Sequence, residues 1–202
     1  MKAPLLAALL LATGAAHAAP PDTTARPPRP WFRPRHVVLQ TGGGLGMVAG
    51  GAGYVLLKNR LETDLLIGYV PRRYAGSALA LVSLKVMYSP WQLRVAERVR
   101  VVPVTLGGYL SYTHGTLNDG QKGQYPRDYY WFSTDTRYGA LLGGRVACLM
   151  APLAATGQPR KLAFCYELGT NDLYVATYLT NRGGAIGVGQ LVTLALGVKV
   201  DF

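Results

Sequence analysis

Val192-Thr193-Leu194-Ala195-Leu196-Gly197-Val198-Lys199-Val200-Asp201-Phe202, at the C-terminus, decides the fold. Apolar side chains fall on every second residue (Val192, Leu194, Leu196, Val198, Val200, Phe202), with Thr193, Ala195, Gly197, Lys199 and Asp201 between them. A period of two belongs to an extended strand, whose side chains point alternately to opposite faces. Over 102–112 one face carries Val102, Val104, Leu106, Gly108, Leu110 and Tyr112, and the other Thr105, Gly107, Tyr109 and Ser111. Over 138–148 the apolar set Tyr138, Ala140, Leu142, Gly144, Val146 and Cys148 opposes Gly139, Leu141, Gly143, Arg145 and Ala147. Residues 80–88, 61–69 and 162–168 alternate in the same way. Two Gly-rich segments near 36–45 and 50–57 bring the count to eight.

A soluble sandwich also alternates, but its solvated face carries a coat of Lys and Glu. Here the second face is Gly, Ala, Ser and Thr with few charges, which suits the interior of a barrel whose apolar face meets lipid. The segments, about 9–13 residues long, fit the ~9–11 needed to cross a bilayer obliquely. The sequence therefore predicts an all-β protein, an eight-stranded antiparallel up-and-down transmembrane β-barrel with a side-chain-filled lumen. Lys58-Asn59-Arg60 reads as a tight turn. The link 89–99 reads as either a short amphipathic helical turn or an irregular loop, and 113–134 as a long outer loop.

The 202 residues are 50% apolar and 15% charged, too apolar for a disordered chain. After residue 18 no apolar run approaches the roughly 20 residues of a spanning helix. Residues 1–18 have the form of a signal peptide: Lys2, the apolar Leu5–Ala12 stretch, and Ala16-His17-Ala18 as a cleavage site. Residues 19–35, with six prolines and four arginines, read as an extended periplasmic leader, and 36–202 as the barrel.

Alternation turns four acids inward, Glu62, Asp64, Glu167 and Asp201, and four bases, Lys85, Arg137, Arg145 and Lys199. Buried charges are tolerated when paired, and eight strands leave room only for side chains. The expectation is a plugged interior and no diffusion pore. The formal net charge of +11 then resides mainly on the inner rim, suited to anionic phospholipid headgroups. At the outer rim Arg72 and Arg73 are candidates for lipopolysaccharide phosphates. Tyr129, Tyr130, Trp131, Asn171 and Asp172 are further loop candidates for a binding surface, and tyrosines at the strand ends fit interfacial girdles. Nucleic acid is a poor partner for an exported membrane chain.

Gly42-Gly43-Gly44-Leu45-Gly46 superficially resembles a dinucleotide loop but has no following helix. Strand glycines that admit large neighbours are the better account. Cys148 points to lipid and Cys165 inward, so both are expected to be free thiols. No His/Cys cluster has metal-ligand spacing, no Gly-x-Ser-x-Gly elbow occurs, and no cofactor is expected. The one catalytic alternative is a lipid A- or phospholipid-modifying site around His114, with Ser111 and Asp135.

The signal peptide, the eight segments and the terminal Phe202 resemble small bacterial outer-membrane β-barrels. The wording at Tyr69-Val70-Pro71, Tyr88-Ser89-Pro90 and Thr170-Asn171-Asp172-Leu173-Tyr174 resembles an uncharacterised family of them, over nearly the whole mature chain. That resemblance implies a fold, an outer-membrane address and recognition of the last strand by the barrel-assembly machinery. It implies no activity. A structural or surface-binding barrel using the 113–134 and 170–189 loops is the expectation.

Overall fold

The computed structural model describes residues 33–116, 135–152, 159–180 and 187–202. The expected signal peptide, most of the leader, and Tyr129, Tyr130 and Trp131 lie outside them. Nine strands run β1 His36–Gly42, β2 Val48–Leu56, β3 Leu61–Val70, β4 Leu79–Tyr88, β5 Leu93–Arg94, β6 Val99–His114, β7 Thr136–Met150, β8 Arg160–Asn171 and β9 Thr193–Asp201. Every pairing is antiparallel. The order β4-β3-β2-β1-β9-β8-β7-β6 is closed by β4 against β6, giving an eight-stranded up-and-down barrel with β5 outside it. The closing seam between β1 and β9 runs from His36↔Asp201 to Gly42↔Ala195. It is extended by Phe202 N–H donating to Arg35 O at 3.1 Å.

The eight predicted segments are the eight barrel strands. Between β4 and β6 the chain is neither helical nor irregular throughout. Leu93 and Arg94 pair with Val101 and Arg100, so the link folds back as a small ribbon on β6. Alternation also fails locally at one site. Val102, read above as outward, is buried, because two residues of β6 oppose one of β7 between Val102↔Arg145 and Thr105↔Gly143. Such a bulge shifts the phase by one residue, so Val102 and Thr105 both face inward.

Outside, Leu39, Leu65, Ile67, Val82, Leu110, Phe164 and Leu194 are all more than half exposed and form part of a broad apolar belt. Inside, the lumen is packed by a size rule. Across three adjacent strands, a glycine sits between two larger inward residues: Val38–Gly51–Leu66, Met87–Gly107–Leu141 and Tyr109–Gly139–Asn171. A Cβ at Gly139 would strike the Tyr109 ring and the Thr170 carbonyl oxygen, and one at Gly51 the backbone of Leu65 and Leu66.

The β1–β2 connection supplies the last piece of filling. Gly42, Gly43 and Gly44 take φ of 78°, 71° and 79°, a region only glycine enters freely. The chain there folds inward and buries Leu45 completely against Val38, Ala49, Leu66, Met87, Tyr109 and Leu141. Burying one leucine is worth about 1.5–3 kcal/mol. At this same end, opposite the termini, lie the helices α1 (Arg72–Ala75) and α2 (Asp172–Thr180).

Gly51→Val should cost about 2–4 kcal/mol or prevent folding, whereas Gly187→Ala, whose Cβ would meet nothing within 4 Å, should be neutral. Denaturant unfolding of the refolded proteins checks both.

Candidate functional site

The lumen holds one continuous cluster of charged groups. Asp64 and Glu62 come from β3, Lys85 from β4, Arg145 from β7, Glu167 from β8 and Lys199 from β9. Lys199 Nζ lies 2.8 Å from Glu62 Oε2 and 3.1 Å from Asp64 Oδ2. Lys85 Nζ lies 3.0 Å from Glu167 Oε1 and 3.5 Å from Asp64 Oδ2, and donates to Gln40 Oε1 at 2.7 Å. Arg145 pairs with Glu62. Three carboxylates thus face three cations, and Lys85, Lys199, Asp64 and Glu62 are each under 5% exposed.

The glycine rule explains how these groups reach one another. His36 on β1 and Asp64 on β3 flank Gly53 on β2, and over that bare position His36 Nε2 meets Asp64 Oδ1 at 2.5 Å. Gly143 gives the same clearance beside Glu167, and Gly197 lies between Gln40 and Cys165. A small enclosed space of about 10 Å³ remains beside Gln40, Cys165, Glu167 and Lys199. It is about large enough for one water, and Gln40 Nε2, buried without a protein partner, borders it through its side chain.

Two of the eight expected lumen charges stand outside this cluster. Arg137 is 4.0 Å from Asp172 at the end away from the termini, and Asp201 is 3.9 Å from Lys161 at the terminal end. Alternation gave their face correctly but not their height: both belong to the mouths, where water reaches them. His36 and Gln40 are members that the sequence reading did not assign. The signal was present, since His36, Val38 and Gln40 alternate at the start of a segment read only as Gly-rich.

The catalytic alternative is not assembled. Ser111 is buried in the lumen while His114, three residues further along β6, is exposed on the other face. An odd separation along a regular strand always divides two side chains in this way. Asp135 instead accepts a hydrogen bond from Thr116 Oγ1 at 2.7 Å. Of the loop candidates, Asn171 Oδ1 accepts the Tyr174 N–H at 2.9 Å and so caps α2, a helix where the sequence suggested a turn-rich loop. Asp172 faces Arg137. Arg73 stacks on Tyr74, 4.5 Å from its centroid, and Arg72 Nε donates to Gly76 O. Cys148 is exposed and Cys165 buried, both free, on opposite faces of the wall. Among the described residues no three His, Cys, Asp or Glu side chains are grouped to hold a metal ion.

Chemically, the charges of the cluster satisfy one another, while His36 Nδ1 and Gln40 Nε2 are buried without a protein partner among the described residues. Lys85 and Lys199 each lie between two carboxylates, Arg145 pairs with Glu62, and each of the three carboxylates has at least one cation against it. Its consequence is an interior filled by paired side chains at this height. No protein-family model matches the chain, and no curated protein matches it.

Lys85→Met leaves Glu167 without its cation and should cost about 3–5 kcal/mol. The double variant Lys85→Met/Glu167→Gln should be more stable than that single variant, since the orphaned charge is gone. Urea unfolding midpoints across the four proteins of the cycle check the sign.

Proposed function

We propose that the protein is a bacterial outer-membrane β-barrel with a structural or surface-binding role, and not an open pore. The observation that carries this is the pairing of an apolar exterior with a charged, filled interior. Ile67 is 69% exposed while its neighbour Leu66 is fully buried, and the contrast repeats around the wall. In water such a belt would far exceed the few hundred Å² of contiguous apolar surface that a soluble monomer carries. Against hydrocarbon it is the expected exterior, and closure of the sheet leaves no unpaired strand edge in the bilayer.

The leader-like N-terminus and the resemblance to small outer-membrane barrels support the same address. With the termini in the periplasm, α1, α2 and the facing ends of β6 and β7 are on the outer side. Arg72, Arg73, Asn171 and Asp172 then lie on the side where lipopolysaccharide is found. The last strand, ending at Phe202, is the segment for the barrel-assembly machinery. The wall residues contact lipid.

Purified mature protein should enter phospholipid vesicles and migrate differently on gels before and after boiling. In planar bilayers it should give no steady conductance. Sustained channels would refute the sealed lumen, and full solubility without amphiphile would refute the membrane assignment.

A further inference from the structure

On the outward face of β6, Gly108 lies between Leu106 and Leu110 and opposite Val86 of β4. The missing side chain leaves an apolar trough of about 350 Å³ on the wall of β3, β4 and β6, lined by Leu61, Leu84, Val86, Tyr88, Leu106 and Leu110. Its lower end, on the side of the termini, meets the β2–β3 turn. Leu61 pairs with Tyr88, Ser89 N–H donates to Arg60 O at 2.7 Å, and the Gln92 side chain donates to Asn59 O at 2.5 Å. The turn is thus pinned beneath the trough.

That turn is unusual. Leu57, Lys58 and Asn59 all have left-handed backbones, with φ of 48°, 55° and 68°, although none is glycine. Such a run persists only where surrounding contacts hold it. It presents Lys58 and Arg60, both exposed, and neither has an acidic partner among the described residues, because the nearby Glu62 and Asp64 are turned into the lumen. Trp91, preceding Gln92, is exposed, and an indole favours the boundary between headgroups and hydrocarbon.

We propose that this trough and turn form a binding site for one anionic phospholipid of the periplasm-facing leaflet. An acyl chain lies in the trough and the headgroup phosphate sits against Lys58 and Arg60. The site rests on the membrane reading above. An aliphatic chain matches the apolar lining, and a phosphate matches two cations at its end that have no acidic partner among the described residues.

Native mass spectrometry of the full mature chain, released from micelles holding equal phosphatidylglycerol and phosphatidylcholine of the same acyl chains, tests it. One retained phosphatidylglycerol is expected, favoured about tenfold. Lys58→Glu/Arg60→Glu should erase the preference. Leu106→Trp, which fills the trough, should lower retention of both lipids, and Arg72→Glu/Arg73→Glu at the other end should change neither. Deacylated glycerophosphoglycerol should not compete. Equal retention of the two lipids by the unaltered protein, an unchanged preference in Lys58→Glu/Arg60→Glu, undiminished retention in Leu106→Trp, or competition by the deacylated headgroup would overturn the site. Heat-modified migration confirms that each variant is folded. Failure to enter vesicles would overturn the membrane reading itself, whereas entry without lipid preference overturns only the phospholipid site.

Discussion

A carboxylate taken out of water must find a cation, and Asp64 finds its partners on other strands: His36 on β1, Lys85 on β4 and Lys199 on β9. The register of the sheet follows from that demand. Sliding β3 by one residue would turn Glu62 and Asp64 outward to hydrocarbon or solvent and bring Thr63 and Leu65 inward, stranding Lys199 and Arg145 and leaving Lys85 with Glu167 alone. Each of these charges is therefore a constraint on strand alignment more than a source of stability, since the desolvation cost of buried pairs roughly offsets their attraction. The barrel is held at one alignment because every alternative leaves a charge alone.

The same lumen shows why glycine is so frequent in a chain that folds into strands. Eight strands enclose too little volume for a large residue at every inward position. Glycine on one strand allows a histidine, tyrosine or leucine from its neighbours to lie across it, as with Gly53 under His36 and Asp64 and Gly139 under Tyr109. Entropy lost by glycine in a strand is accepted because the alternative is a collision with backbone that no rotamer relieves.

Much of this was legible in the sequence. Period-two patterning is a local property, so the eight strands, the faces of Cys148 and Cys165, and the inward set around Glu62, Asp64, Lys85, Glu167 and Lys199 follow from counting alone. What counting misses is whatever depends on a partner strand. The bulge at Val102 arises from a mismatch with β7, and its one mark in β6 is Pro103, a residue that a paired strand admits at a bulge but that two-residue alternation passes over. The height of Arg137 and Asp201 along the lumen depends on strand stagger, which alternation does not contain. His114 and Ser111 are close in sequence and on one strand, yet their odd spacing puts them on opposite faces. Leu45 was hidden for a different reason: a loop that folds back inside a barrel has no periodicity to betray it.

The seam between β1 and β9 carries one more implication. The first strand of the sheet has only one of its two hydrogen-bonding edges occupied until β9 arrives, because its other neighbour is the barrel strand furthest from it along the chain. Hence the cylinder cannot shut progressively as the polypeptide emerges. It must wait as a curled ribbon with two open margins, its ionic interior still wet, and complete itself in a single late event that joins beginning to end. Contacts of such long sequence separation form slowly, and until they form both margins offer unpaired backbone to any other strand within reach.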